Sequence, residues 1–354
     1  MKTPVIKVNP DFPETDKIAQ CGAVIRKGGL VIFPTETVYG IAADFNNPSA
    51  MNRLRDVKKR PPDKPFSILI AQKGHLSNYT SRCDTAIYKV VDHFWPGPLT
   101  VIVPAKEEGR TIGVRMPAHS VALRLIQESQ CCLAAPSANL EGQPAPRTCS
   151  EALKDLDGLV DMAIDGGPAQ YGQSSTVADF TQARPGILRE GFIPKEDIEK
   201  VMNMKIILFV CTGNSCRSVM AEYLLKKMLR DRRDIEILSA GTAVFVRTPA
   251  SAETIHVLSR EGLDASRHLS QPITDMLLRK ADLILVMTGT HRQQILEKVP
   301  SVESRVYLLR EFASYSGAGG KDMDVPDPIA KPAEAYEECL LTIKDALNKI
   351  VRLI

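Results

Sequence analysis

The sequence predicts an α/β protein in two parts: a mixed-sheet α/β unit, followed by a doubly wound, Rossmann-like unit with a parallel sheet. Three observations carry this. At 354 residues the chain exceeds the usual size of one domain. From residue 204 onward, apolar strand-like runs alternate with helix-like runs, as a parallel sheet requires. Between the halves, "REGFIPKEDIEKVMNMKIILFV" (189–210) passes from a polar, helix-compatible stretch into a fresh apolar strand. The expected division is residues 1–195, a linker at 196–203, and residues 204–354.

In the first unit, strands or strand ends are expected in "GGLVIFPTETVYGIAADF" (28–45), "FSILIA" (66–71), "LTVIVPA" (99–105), "TIGVRMP" (111–117), "CCLAAPSAN" (131–139) and "STVADF" (175–180). Helices are expected over 49–58, 84–93, 118–128 and 149–154. In the second unit "KIILFV" (205–210), "IEILSAG" (235–241), "ADLILVM" (281–287) and "RVYLL" (305–309) read as strands. Residues 218–231, 250–262, 289–298 and 332–352 read as the helices between and after them. Ligands of such sheets bind beyond the carboxyl ends of the strands.

Composition bounds the function. Net charge is +3, and Lys+Arg against Asp+Glu stand at 24 to 23 in residues 1–203 and 21 to 19 in 204–354. Neither half is a basic nucleic-acid module, so any anion site must be local. No apolar run approaches the ~20 residues of a membrane span. The first residues lack a signal-peptide pattern, which leads us to expect a cytoplasmic protein. Eight scattered cysteines follow no disulfide-scaffold or zinc spacing, so free thiols and no protein-held metal are expected. Neither GxxxxGK[ST] nor GxGxxG occurs.

"CTGNSCRS" (211–218) sits where the first strand of the second unit hands over to a helix. Backbone N–H groups of such a turn cradle an anion. Gly213 is expected to let the loop curl and Asn214 to brace it, with Ser215 and Cys216 completing it. Arg217 offers a planar fork to phosphate oxygens. The same positive field favours the thiolate of Cys211, an in-line nucleophile toward phosphorus. Ser218 is placed to hydrogen-bond that sulfur. A leaving group needs a proton, and Asp327 in "MDVPDPI" (323–329), on a loop stiffened by Pro326 and Pro328, is the candidate acid. Alone, "PDP" reads as a surface turn; together with the cysteine loop it reads as functional.

With these residues, 204–354 resembles the low-molecular-weight protein tyrosine phosphatases: C-x5-R-S near the start, "SAGT" (239–242) after the second strand, Asp327-Pro328 near the end. The resemblance implies Cys211 as nucleophile through a phosphocysteine, Arg217 as phosphoryl binder, Asp327 as acid then base, and no metal. Relatives acting on phosphotyrosine usually carry an aromatic residue after Asp-Pro, where this chain has Ile329. Relatives acting on phosphoarginine carry a small hydroxyl residue at the position of Ser215. Phosphotyrosine and phosphoarginine both stay open. Phe245 is an aromatic wall or a core residue; Cys216 is a redox partner of Cys211 or a small buried residue. Arsenate reductases share the loop, but the further cysteine they need would have to be Cys339, mid-helix and distant in sequence.

In the first unit, cations and hydroxyls gather at strand ends: Thr37 in "PTETVYG", Lys58 and Arg60 in "DVKKRPPDK", Arg115 in "GVRMP", Ser137 and Asn139 in "APSAN", Ser175 in "GQSSTV", Arg189 in "GILREG". They suit a polyanion bound without a Walker loop. Residues 10–195 resemble the YrdC-like threonylcarbamoyl-AMP synthases, whose K-x-R and S-x-N motifs appear as 58–60 and 137–139. The resemblance implies condensation of L-threonine, bicarbonate and ATP, with Mg²⁺, to threonylcarbamoyl-AMP and pyrophosphate, feeding tRNA modification through downstream proteins. It implies threonine contacts at Thr37, Arg115 and Ser175, and ATP contacts at Lys58, Arg60, Thr111, Ser137, Asn139 and Arg189. Arg115 is expected to clamp the amino-acid carboxylate in a bidentate fork. Two alternatives stay beside the bifunctional reading: a phosphatase whose first unit only binds nucleotide or RNA, and a synthase whose second unit is a redox-sensing module.

Overall fold

The computed structural model describes residues 2–61, 64–82, 84–314 and 323–354. Two compact units emerge: Met1–Arg82 with Lys89–Val201, and Met202–Ile354 with the short stretch Cys83–Tyr88. The stretch expected to link them is a helix, Lys195–Asn203, with Ile198 buried.

The first unit is built on a ten-stranded mixed sheet. Its strands run in the order Val5–Lys7, Met162–Asp165, Val31–Phe33, Gly40–Asp44, Leu133–Ala134, Ser67–Leu69, Thr111–Arg115, Leu99–Pro104, Thr176–Asp179, Gly186–Arg189. Parallel and antiparallel neighbours mix along it. The short outer strands Val5–Lys7, Met162–Asp165 and Gly186–Arg189 were not expected, nor was helix Thr15–Arg26. Three or four residues give too little periodicity to read. "CCLAAPSAN" pairs only at Leu133–Ala134, because prolines and the bridge from Gly40 to Ser137 end the ladder there. Helix Pro48–Lys58 shows how local chemistry aims the K-x-R motif. Asn47 caps it by accepting from Ser49 N (3.1 Å) and Ala50 N (3.2 Å), and Pro48 opens the first turn. Lys59 ends it in the left-handed region at φ 52°, which turns Lys58 inward and Arg60 out.

The second unit has four parallel strands in the order Ile235–Gly241, Lys205–Cys211, Leu283–Val286, Val306–Leu308. Lys205–Cys211 is buried at every residue after the first and pairs on both sides, as its unbroken apolar run predicts. The winding reverses across this strand, so its carboxyl end is the switch point where α/β sheets bind ligands. Helices Arg217–Met228 and Ala333–Ile350 bury their apolar faces in one core with Phe209, Leu285 and Val325. Helix Asp275–Lys280 was not foreseen. Among the described residues the seven cysteines are free thiols; Cys83 lies outside them. Among the described residues no helix is long and apolar enough to cross a membrane.

Candidate functional sites

In the first unit a groove of about 400 Å³ gathers six of the expected residues: Arg60, Thr111, Arg115, Ser137, Ser175 and Arg189. They arrive from five separate segments of chain, and the sheet order alone brings them together. A larger cavity, about 670 Å³, contains none of them and sets its one cation, Lys7, among Asp11 and Asp165.

At the groove wall Arg115, 9 % exposed, donates through Nη2 to Glu36 Oε1 (2.7 Å) and to Thr37 Oγ1 (2.8 Å). Both hydrogens of Nη2 are therefore spent. The expected bidentate clamp across Nη1 and Nη2 is not available in this arrangement, and Nη1 is the end left for a ligand. Glu36 is 1 % exposed, and its Oε2, like Arg115 Nε, has no protein partner. Thr37 is equally committed: Thr35 Oγ1 donates to Val38 O (2.6 Å), so Thr37 must supply the hydrogen to Thr35 Oγ1 (2.8 Å) while accepting from Arg115. Across the groove Ser175 Oγ meets Thr100 Oγ1 at 2.9 Å, and Arg189 Nη2 donates to Ser175 O at 2.8 Å.

The K-x-R motif splits between two jobs. Lys58 is 1 % exposed and donates to Ser137 O and Asn139 O, each at 2.6 Å. It therefore lies beneath the groove and not in it, holding the S-x-N turn by its two carbonyls. This corrects its expected place among the ATP contacts. Burial, then the charge of Arg60, push its ammonium down to about 8, still protonated at neutral pH. Asn139 is likewise turned away from the groove, donating to Leu140 O (2.9 Å) and Gln143 O (2.6 Å). Arg60 does line the groove, paired with Glu141 (3.1 Å), which also takes Lys64 (2.7 Å). The hydrogen bond from Lys64 holds the Glu141 carboxyl below the usual range. Among the described residues no carboxylate lines the groove, and no three His, Cys, Asp or Glu side chains cluster as metal ligands.

In the second unit the phosphate loop is held from outside by its carbonyls. Cys211 O, Thr212 O and Ser215 O accept from Thr242 N (2.9 Å), Ala243 N (2.9 Å) and Ser251 N (3.0 Å), and Asn214 O meets His268 Nε2 at 2.9 Å. Among the described residues, the N–H groups of 213–217 donate to no backbone carbonyl outside the helices and strands, and amides so placed suit an anion. The left-handed residue is Asn214, at φ 50°, not Gly213. A Cβ at Gly213 would meet only Ser215 Oγ at 3.5 Å, so the expectation that this glycine makes the turn is corrected.

Cys211 is 3 % exposed, its Sγ 3.0 Å from Ser218 Oγ. The direction of that bond follows from the atoms behind it. The Glu222 carboxylate accepts from Ser239 Oγ. Asn214 Nδ2 then donates to Ser239 Oγ (2.8 Å) and to Ser218 Oγ (3.0 Å). Ser218, already accepting, has its own hydrogen free for the sulfur. Arg217 Nη2 contacts Asp327 Oδ2, and Nη1 donates to Val325 O at 3.1 Å, so the arginine joins the cysteine loop to the acid loop. Cys216 is buried, 3.4 Å from Ser251 Oγ. Phe245 is 94 % exposed, which excludes the core role, and Ile329 is exposed as well. Cys339 is buried, and desolvation pushes its thiol up to about 12.

Sequence reasoning gave no role to Glu36, Glu141, Glu222, Ser239, His268 or His291. Each acts on a partner far away in sequence, and only Glu36, inside "PTETVYG", and Ser239, inside "SAGT", stood in stretches that had drawn notice.

Comparison with known proteins followed the same division. Residues 23–191 match the Sua5/YciO/YrdC family, described as "Telomere recombination", and residues 206–354 match the family described as "Low molecular weight phosphotyrosine protein phosphatase". A threonylcarbamoyl-AMP synthase of Pyrococcus abyssi is 32 % identical over 298 residues, 74 % of this chain and 88 % of that protein. One of Bacillus subtilis is 40 % identical over 195 residues; the match takes in 52 % of this chain and 56 % of that relative. A probable low-molecular-weight protein-tyrosine-phosphatase, EpsP, of Ralstonia nicotianae is 36 % identical over 145 residues, 41 % of this chain and 92 % of that protein. Among solved structures, a doubly alanine-substituted P. abyssi Sua5 aligns with a TM-score of 0.53 at 27 % identity, over 86 % of this chain and 98 % of that one.

Proposed function

The chain belongs to the threonylcarbamoyl-AMP synthase family through its first unit and to the low-molecular-weight phosphotyrosine protein phosphatase family through its second, and on that premise we propose that it is a bifunctional enzyme. The first unit joins L-threonine, bicarbonate and ATP into threonylcarbamoyl-AMP and pyrophosphate, for tRNA modification completed by downstream proteins. The second hydrolyses phosphotyrosine or phosphoarginine in proteins.

For the synthase, the carrying observation is the single groove that sets three arginines, 60, 115 and 189, against the hydroxyls of Thr111, Ser137 and Ser175. Arg115 Nη1 takes the threonine carboxylate, with Ser175 beside it. Thr37 acts mainly by fixing Arg115. Threonine nitrogen bonds to the carbon of bicarbonate, releasing water, and a carbamate oxygen then attacks the α-phosphorus of ATP. The bond to the β-phosphate breaks and pyrophosphate leaves. Arg60 and Arg189 neutralise the growing phosphate charge. Mg²⁺ bound to the triphosphate of ATP would offset part of its charge beside Arg60 and Arg189.

For the phosphatase, the carrying observation is the amide-lined loop around Cys211 with Asp327 tied to it through Arg217. Sulfur attacks phosphorus in line, the P–O or P–N bond breaks, and Asp327 gives its proton to the leaving group. Water then attacks the phosphocysteine, Asp327 takes its proton, and the thiolate departs toward the hydrogen bond from Ser218.

The test is one variant and two assays. Cys211→Ser should abolish hydrolysis of p-nitrophenyl phosphate and leave threonine-dependent pyrophosphate release from ATP unchanged. Loss of both would contradict two independent centres. ATP binding with no threonylcarbamoyl-AMP by mass spectrometry would leave the first unit a nucleotide binder. Side-by-side kcat/KM on phosphotyrosine and phosphoarginine peptides decides the substrate.

A further inference from the structure

The turn between strand Leu283–Val286 and helix Gly289–Lys298 touches both loops of the phosphatase centre. Toward the cysteine loop, His291 Nε2 meets Thr212 Oγ1 at 2.9 Å, and Thr212 is the residue after the nucleophile. The other ring nitrogen, Nδ1, meets Thr288 Oγ1 at 2.9 Å. Toward the acid loop, Gly289 N donates to Asp324 Oδ1 (2.9 Å), and Met287 O accepts from Val325 N (2.8 Å), two residues before Asp327. Five consecutive residues, 287–291, therefore hold both loops.

The ring that makes the first of these links is 4 % exposed. Burial, then the neighbouring Arg217 guanidinium, push its pKa down to about 4. At neutral pH it is uncharged, with one donor and one acceptor nitrogen. Thr288 Oγ1 already accepts from His291 N (3.4 Å) as the helix cap. Its own hydrogen is best spent on Nδ1, which leaves the ring hydrogen on Nε2, donated to Thr212.

We propose that His291 is a positioning residue that, through Thr212, sets the spacing between the Cys211 loop and the Asp327 loop, so that the acid reaches the leaving-group oxygen. This rests on the phosphatase reading above. A spacing role has a distinctive kinetic mark. Proton donation matters greatly for a poor leaving group and little for a good one. Loss of the gauge should therefore cost rate in proportion to leaving-group basicity, whereas general damage to the loop costs all substrates alike.

The experiment compares kcat/KM on phenyl phosphate and p-nitrophenyl phosphate in the full chain. His291→Leu should lower the phenyl phosphate value about tenfold and the p-nitrophenyl phosphate value less than about twofold. Thr212→Val, a near-isosteric change at a residue exposed overall, removes the same link from its other end and should show the same split. The double variant should lose no more than either single change. His291→Gln, able to donate near the position of Nε2, should restore phenyl phosphate turnover. Equal losses on both esters, additive losses in the double variant, or no loss in Thr212→Val would each overturn the proposal while leaving the phosphatase reading intact. A wild-type chain inert toward both esters, or a Cys211→Ser variant still active, would remove the reading itself and the proposal with it.

Discussion

The two units handle negative phosphorus compounds in opposite ways. In the proposed mechanism the second concentrates its means in eight consecutive residues and imports one acid. The first disperses arginines and hydroxyls over five segments and depends on a ten-stranded sheet to assemble them. Beside Arg217, the concentrated site takes its electrostatics from backbone amides, which no substitution short of proline removes. The dispersed site takes them from side chains, each held by a protein partner: Arg115 by Glu36, Arg189 by Ser175, Arg60 by Glu141. A contiguous loop tolerates change around it, whereas a dispersed groove should be sensitive to its supports.

The most severe test of this contrast is Arg115→Leu. It strands a carboxylate that is 1 % exposed, and removing one partner of a buried pair costs about 3–5 kcal/mol. The single tryptophan, Trp95, is 2 % exposed in the first unit, so its fluorescence in urea reports that unit. The midpoint should fall sharply while hydrolysis of p-nitrophenyl phosphate persists. An unchanged midpoint would break the contrast.

The second unit has one comparable liability, in His291. Its folded pKa of about 4 lies below the ordinary 6.5, so the unfolded chain binds the extra proton first as pH falls. Stability is complete above about 6.5 and declines as pH drops through 4, by about 3 kcal/mol in total. Hydrogen exchange in strand Lys205–Cys211 should accelerate over that window. His291→Leu should flatten the dependence.

A smaller effect separates brace from ligand. Lys58→Met leaves two carbonyls without their donor, worth about 1–3 kcal/mol in the Trp95 unfolding curve. Arg60→Met should raise the KM for ATP with little change in that curve. Equal stability losses would mean that both residues are structural. The mildest change is Ser239→Ala, which breaks the chain from Glu222 to Asn214 and should cost about 1 kcal/mol, a few-fold in phosphatase kcat/KM, without altering pyrophosphate release.

What could be read from the sequence follows the same contrast. "CTGNSCRS" could be read as a candidate site because its parts are neighbours, and the alternating pattern around it gave the parallel sheet. Asp327 was legible through its prolines. In the groove, residue types at strand ends were legible but their depth was not: K-x-R gives no sign that Lys58 turns inward while Arg60 turns out. That split depends on the left-handed Lys59 and on carbonyls some eighty positions away. His291 carried no motif, since its partner is met only when two strand ends are brought side by side. The outer strands were missed because they are too short to show a period.

One unit's chemistry hinges on a single buried amide, that of Asn214. It keeps a side-chain amide in a left-handed turn, both of whose nitrogen hydrogens are engaged. Slow hydrolysis of that amide to aspartate would turn its two donors into acceptors and set a negative charge beside Ser218. A chain so changed, heavier by a single mass unit, would lose one of its two activities with the other untouched.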